Sequence, residues 1–314
     1  MTNALLFLAT AFIWGTTWLA IKFQLGMVHP LWSVCYRFAI SAGILMVLCY
    51  LKGSCLKFKK NDHKWFALQG LLLFSLNYLF YYMGTGYFVS GIVAVIFASV
   101  AMFNIFNGRI FLKIPLSKSA IAGCAIGLTG LAVIFQSEFL RLLDKDVSFI
   151  ITGFLICLIG TAIASTGQIV ATANLSRNLP VLETNAWGMT YGALYTALGA
   201  VVIGEIPTFD FNNKYVGSLL YLSIVGTVIA FDLYMRLVRN IGPGKAGYAF
   251  VLIPVIALTV SSVFEQFTWT METFIGIFLV VTGNVVVMVS KAIQAKRQSK
   301  IKRFEEKQET KEAA

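Results

Sequence analysis

Side chains able to do chemistry are few in this chain of 314 residues. It has two histidines, His29 and His63, and five cysteines, Cys35, Cys49, Cys55, Cys124 and Cys157, with no C-x-x-C spacing. No His/Cys metal cluster can be assembled from that set. Four of the cysteines lie in apolar runs, where a thiol behaves as a small hydrophobe. There is no H-E-x-x-H, no Gly-x-Ser-Gly and no pair of aspartates within an apolar run, so an intramembrane enzyme would lack its nucleophile, base and metal. A Gly-Lys-Ser/Thr phosphate loop is missing as well. The sequence predicts no catalytic residue, no metal and no cofactor, and leaves an ion gradient or a solute's own gradient as the driving force.

Ionisable groups inside apolar runs each cost at least about 2.5–3.5 kcal/mol to place in a bilayer and so ask for a reason. Arg37 stands about seven residues into the second run, roughly 10 Å at 1.5 Å per residue. It reads either as a binding cation or gate for a carboxylate or phosphate, or as a packing residue that snorkels or pairs with a neighbour. Asp232 has Arg236 four residues on, on the same helix face, and reads as half of a self-neutralising pair; the sharper alternative is a proton-coupling carboxylate. Arg37 and Asp232 are expected at opposite depths, with no bond between them. Gly242-Pro-Gly-Lys-Ala-Gly247 matches G-x-G-x-x-G, but a dinucleotide site needs a preceding strand, and this stretch joins two apolar runs. Lys245 within it is either a basic flank of a span or an anion-binding group at a helix N-terminus.

Neutral polar and aromatic residues are more telling. Trp14, Thr17 and Trp18 share the first run, and Asn77, Tyr78, Tyr81 and Tyr82 the third. Asn104 and Asn107 fall in the fourth; Thr161, Ser165 and Gln168 fall on one face of the sixth. The seventh holds Asn185, Trp187, Tyr191 and Tyr195. Such residues serve as interface belts or as helix–helix glue. At mid-span they also suit a cavity for a zwitterion or polar aromatic solute, and the expected lining is Trp14, Thr17, Tyr78, Tyr81, Asn104, Gln168 and Tyr248. An uncharged lining argues against a bulk-ion channel, which uses carbonyl filters or charged rings.

The elements that must position these residues follow from composition. The chain is 58% hydrophobic and 12% charged, with a mean hydropathy of +0.79, whereas soluble domains carry about 25% charged residues. A spanning helix needs about 20 apolar residues. Ten such runs occur, near 4–21, 31–51, 65–86, 88–107, 119–136, 149–171, 184–204, 215–235, 246–264 and 273–290. They do not alternate as barrel strands would. The first lacks a basic n-region and an A-x-A site, so it reads as a retained span. The net charge of +11 does not mark a nucleic-acid partner, because the basic residues sit in short gaps between runs. Twenty of the 25 Lys and Arg residues fall on one side if the N-terminus is cytoplasmic, which by the positive-inside rule puts both termini there. That side also holds the sequon Asn174-Leu-Ser176, which is then a chance match. The outer segments hold Lys22, Arg141, Lys145 and Lys214, beside acidic residues that include Asp144 and Asp146.

Five spans on each side of Val147 place the two halves in opposite orientations, an inverted repeat. His29-Pro-Leu and Leu179-Pro-Val open the second and seventh spans; Gly123 and Thr129-Gly130 recur as Gly276 and Thr282-Gly283. Gly123, Gly127, Gly130, Gly276 and Gly283 are expected to be close-packing surfaces. Four segments resemble the EamA branch of the drug/metabolite transporter superfamily. They are Phe12-Ile-Trp-Gly-Thr-Thr-Trp-Leu-Ala-Ile-Lys22, Tyr36-Arg37-Phe38, Gly244-Lys-Ala-Gly-Tyr-Ala-Phe-Val-Leu-Ile-Pro254 running on to Glu265, and the Gly-patterned last helix. The first half departs from the pattern, with Ala101 and Leu112 where a second Pro and Glu would stand.

The resemblance implies an all-α integral membrane protein of ten helices in two inverted five-helix repeats, 1–146 and 147–290, followed by a charged cytoplasmic tail, 291–314. It implies a secondary transporter in the inner membrane, a monomer or homodimer whose partners are a small-molecule substrate and the lipid bilayer. An exporter of amino acids or related compounds is the expected function. The alternative within the superfamily is an importer or exchanger of organophosphates, nucleotide derivatives or S-adenosylmethionine-like compounds, in which Lys245 would serve, since related organophosphate carriers place a Lys near this point.

Overall fold

A computed structural model describes residues 1–113, 115–141 and 147–312. The expected junction between the halves, with Asp144, Lys145 and Asp146, lies outside the described residues, as do the last two residues of the tail. Among the described residues the chain forms ten helical rods. These are α1 Asn3–Lys22, α2 Pro30–Leu51, α3 Lys60–Tyr87, α4 Ser90–Phe111, α5 Lys118–Arg141, α6 Val147–Ser176, α7 Val181–Val202, α8 Asn213–Ile241, α9 Ala249–Phe264 and α10 Met271–Glu312. A single helical turn, Pro243–Ala246, leads into α9. Eight rods are long and apolar enough to cross a membrane. Of the other two, α9 has 16 residues, and α7 has 22 but buries Glu183, Thr184, Asn185 and Thr196.

Local chemistry sets several boundaries. Thr2 caps α1 by accepting from the Leu5 N–H at 3.4 Å, as a side-chain oxygen does at an N-terminus. His29 caps α2 ahead of Pro30, whose missing N–H costs nothing in the first turn. Gly242, at φ +82°, ends α8, so the G-x-G-x-x-G stretch is a helix stop and a turn with no strand before it. The fourth run differs from its expected form, being broken at Ser99 into Ser90–Ala98 and Val100–Leu112. The tail prolongs α10 as helix to Glu312, well past its apolar part, Met271–Ser290.

Contacts define two ends of the bundle. At one, Asn3 meets Asn240, Asp62 meets Arg177, and Ser117 meets Ser290. At the other, Lys22 meets the carbonyls of Thr85 and Phe88, Trp32 that of Glu205, and Ser90 meets Glu265. Packing obeys an internal two-fold exchange of helix n with n+5. Helix α1 packs on α9 and α8, and α6 correspondingly on α4 and α3, while α2 crosses α7, α4 crosses α9 and α5 crosses α10. Even the irregularities match: α3 contains a π-helical segment, Leu72–Leu76, and its counterpart α8 another, Tyr221–Ile229.

The α5–α10 crossing shows why glycine recurs. A Cβ added at Gly123 would stand 2.9 Å from the Gly283 carbonyl oxygen, and one at Gly283 2.6 Å from that of Gly123. Gly130 and Gly276 oppose each other likewise, at 2.6 and 2.9 Å. In lipid, where apolar burial drives no association between helices, such backbone approach is the source of attraction. Gly127 instead faces the tip of Met102. The outer surface is apolar: Leu5, Leu8 and Phe12 on α1, Ile151, Leu155 and Ile159 on α6, and Leu194, Leu198 and Val201 on α7 are exposed. Stripes at that helical spacing are untenable in water and ordinary against acyl chains.

Candidate functional site

The seven residues expected to line a cavity fall into three neighbouring groups. Trp14 stacks on Phe250 at 5.0 Å and tilts against Tyr234 at 5.2 Å. Its indole N–H donates to the Gly226 carbonyl at 3.2 Å, inside the π segment of α8, where widened turns leave carbonyls available to side chains. The hydroxyl of Thr17 donates back to the Trp14 carbonyl at 2.6 Å. Tyr248, half-buried, is the N-cap residue of α9, just ahead of Phe250.

A second, aromatic group joins α1, α2, α3 and α4. Tyr81 is buried edge-on between Trp18 at 5.3 Å and Phe97 at 5.5 Å; its hydroxyl donates to Thr161 Oγ1 on α6 at 3.4 Å. Tyr78 packs on Phe38 at 4.9 Å and lies under the Arg37 guanidinium, 4.5 Å from ring centre to Cζ. The third group is an amide network between α4 and α6. Asn104 donates to Gln168 Oε1 and accepts from Ser165, both at 2.8 Å, and Asn107 donates to Ser165 at 2.8 Å. Thr161, Ser165 and Gln168 thus do share one face of α6. Between the aromatic groups, a cavity of about 40 Å³ is lined by Phe97, Phe250, Pro254 and Asn284 among others, with room for water rather than a metabolite.

The charged candidates behave differently from one another. Arg236 and Asp232 pair at 2.7 Å with both side chains about half exposed, the self-neutralising arrangement. Lys245 is exposed on the turn before α9. Arg37 is buried, and among the described residues no carboxylate pairs with it. It therefore neither snorkels nor forms an ion pair.

Three features depend on pairings that the sequence did not reveal. Glu265 accepts the Ser90 N–H at 3.0 and 3.1 Å on its two oxygens, and the hydroxyls of Ser90 and Ser261 as well. It caps α4 from α9. At the terminal end of the bundle a buried amide chain links three helices, Asn174 on α6 donating to Gln69 on α3 at 2.8 Å and Gln69 to Asn185 on α7 at 2.9 Å. Asn174 of the sequon is 1% exposed and so engaged. Thr227, beside Arg37, is the third. The resemblance pattern pointed to Glu265; for the others the sequence signal was polarity within or beside apolar runs.

Among the described residues the ten helices form a two-fold bundle, apolar outside and hydrogen-bonded through its middle, which is the architecture of a multi-pass membrane protein. The chain belongs to the EamA-like transporter family, whose sequence profile matches residues 1–136 and again 151–289. It is 24% identical to the uncharacterized transporter YoaV of Bacillus subtilis, over 88% of this chain and 93% of that protein. It is 26% identical to the uncharacterized inner membrane transporter YedA of Escherichia coli K12, over 89% and 88%. It is also 21% identical to the protein PagO of Salmonella typhimurium, over 92% and 93%. A crystal structure at 17% identity superposes with a TM-score of 0.64, covering 91% of this chain and 97% of the other, a likeness of fold.

Proposed function

We propose that this transporter exports amino acids or closely related small polar metabolites across the cytoplasmic membrane, with both termini in the cytoplasm. The observation that supports this reading is the combination of flat aromatic surface with uncharged hydrogen-bonding groups where the halves meet, around Trp14, Thr17, Tyr78, Tyr81 and Tyr248, with Asn104 and Gln168 toward the terminal end. Such groups hold a polar organic solute by stacking and by exchangeable hydrogen bonds, firmly enough to select it and weakly enough to release it. Transport would require the ties at one end of the bundle to open while those at the other hold. Candidates are Lys22 to the Thr85 and Phe88 carbonyls at one end and Arg177–Asp62 with the Gln69 network at the other.

Efflux of labelled amino acids from proteoliposomes at matched amounts of folded protein tests the reading. Tyr81→Phe removes one hydroxyl and is expected to slow efflux about fivefold, the worth of one hydrogen bond; Lys245→Ala is expected to leave it unchanged. Transport that survives Tyr81→Phe and dies with Lys245→Ala would hand the function to the organophosphate alternative. If both variants transport normally, the lining lies elsewhere.

A further inference from the structure

Arg37 is a guanidinium inside an apolar bundle and meets no carboxylate among the described residues. It is 3% exposed. Its Nη2 reaches Thr227 Oγ1 at 3.5 Å, while Nε and Nη1 have no hydrogen-bond partner. Its other close company is the Tyr78 ring at 4.5 Å, the Phe38 ring at 5.2 Å and the buried hydroxyl of Tyr82, one helical turn on from Tyr78, which is near the guanidinium but makes no hydrogen bond of good geometry. A cation–π contact returns only part of what it costs to strip water from a buried cation. A group so placed invites an anion. The guanidinium fork matches a carboxylate in two parallel hydrogen bonds; the Tyr82 hydroxyl is a further donor, while Thr227, its proton committed to the Leu222 carbonyl, accepts from Nη2 and orients the fork.

Local geometry also limits the ligand's charge. Of the other basic residues at this end, Lys22 is committed to the Thr85 and Phe88 carbonyls and faces Glu265, and Lys214 stands over the Phe23 ring at 5.1 Å. Among the described residues Arg37 is thus the one buried cation without a partner carboxylate, a single charge that a monoanion balances; a phosphate ester, nearly doubly charged at neutral pH, would need a second cation. The site is not duplicated. Aligning the helix-start residues Pro30 and Pro180 brings Trp187 to the place of Arg37 in the other half, so one half alone carries the charge. Thr227 lies in the π segment Tyr221–Ile229 and donates to Leu222 at 2.8 Å, a departure from α geometry of the kind that gathers at functional sites.

We infer that Arg37, with Tyr78, Tyr82 and Thr227 around it, binds the carboxylate of the transported metabolite, which enters as the counter-ion that no described residue supplies. The inference rests on the amino-acid reading above only in taking the bound molecule to be the one transported.

The test melts purified full-length protein in detergent with the standard L-amino acids, with their carboxamides, and with phenyl phosphate. One or more amino acids should raise the melting temperature and the matching amides should not, since a ligand that binds the folded state stabilises it. Arg37→Gln should weaken that binding by about tenfold or more, and Arg37→Lys should recover part of it. Without ligand, Arg37→Gln should melt no lower than the wild type, because it removes an unpaired buried charge. A ligand-free loss of several degrees in both variants would make the residue structural and overturn the site. So would stabilisation by amides equal to that by acids, undiminished binding by Arg37→Gln, or no stabilisation by any amino acid. Phenyl phosphate stabilising through Arg37 while amino acids do not would overturn the carboxylate class. Proteoliposome efflux separates the two readings. Transport of a neutral solute undiminished in Arg37→Gln keeps the carrier and loses the anion site, whereas amino-acid binding at Arg37 with no transport keeps the site and loses the carrier.

Discussion

Glu265 illustrates how much one side chain can hold in a bilayer. Its carboxylate satisfies the first N–H of α4 together with two serine hydroxyls, and Gly91 N–H is met by Ser261 Oγ at 2.8 Å. A helix start leaves N–H groups orphaned, and in lipid no water replaces a lost partner. Glu265→Ala is therefore expected to destabilise the protein by about 1–3 kcal/mol, with Glu265→Gln falling between. Thermal unfolding in detergent measures this; an unchanged melting temperature in the alanine variant would remove the cap from the account. The resemblance pattern marked Glu265 and left its counterpart position, Leu112, empty, and the cap is correspondingly one-sided.

Among the elements, the α5–α10 pair and the π segments carry the most. The two helices meet backbone to backbone at Gly123, Gly130, Gly276 and Gly283, so any side chain there pushes main chain apart. Gly283→Leu should lower the folded yield sharply, because its Cβ would stand 2.6 Å from backbone atoms of Gly123 and Gly127. Gly127→Ala asks only the end of Met102 to move and should cost less. Gly43 on α2 has nothing within 4 Å of an added Cβ, so Gly43→Ala should be neutral or stabilise by about 0.5–1 kcal/mol through helix propensity. Size-exclusion yield and melting temperature of the three variants decide it; Gly283→Leu expressing and melting like Gly43→Ala would refute close packing. The paired π segments in α3 and α8 face α7 and α2 respectively, so the irregular turns sit where the halves cross.

For the whole molecule, the expected orientation has a built-in probe. Cys55, in the loop between α2 and α3, is exposed, while Cys49, Cys124 and Cys157 are buried and Cys35 is half-buried within α2. Cys55 shares the end of the bundle that holds the N-terminus and most of the basic residues. A membrane-impermeant maleimide should therefore label the unmodified protein in inverted vesicles and not in intact cells, and Cys55→Ser should abolish the labelling. Labelling of Cys55 from outside intact cells would reverse the orientation. The same end carries the half-buried Arg177–Asp62 pair, 2.8 Å apart.

Span number, approximate ends, the two-half organisation and the asymmetry of basic residues were legible in the sequence, because each is a local or additive property: about 20 apolar residues satisfy one bilayer crossing wherever they occur. The repeated glycines were legible for a related reason, since a residue without a side chain in an apolar helix has few uses besides close approach. Partners were not legible. Ser90 and Glu265 lie 175 residues apart, Trp14 and Gly226 212 apart, and Gln69 and Asn185 116 apart. Whether Arg37 would pair, snorkel or stand alone depended on which residues of α3 and α8 faced it, and hence on how each helix is rotated about its axis. Rotation is set by packing among helices that are apolar all round, where no amphipathic stripe marks the inner face in advance. That is why the chain's own order determined the transporter architecture, while only the tertiary structure decided that its buried guanidinium meets no carboxylate among the described residues.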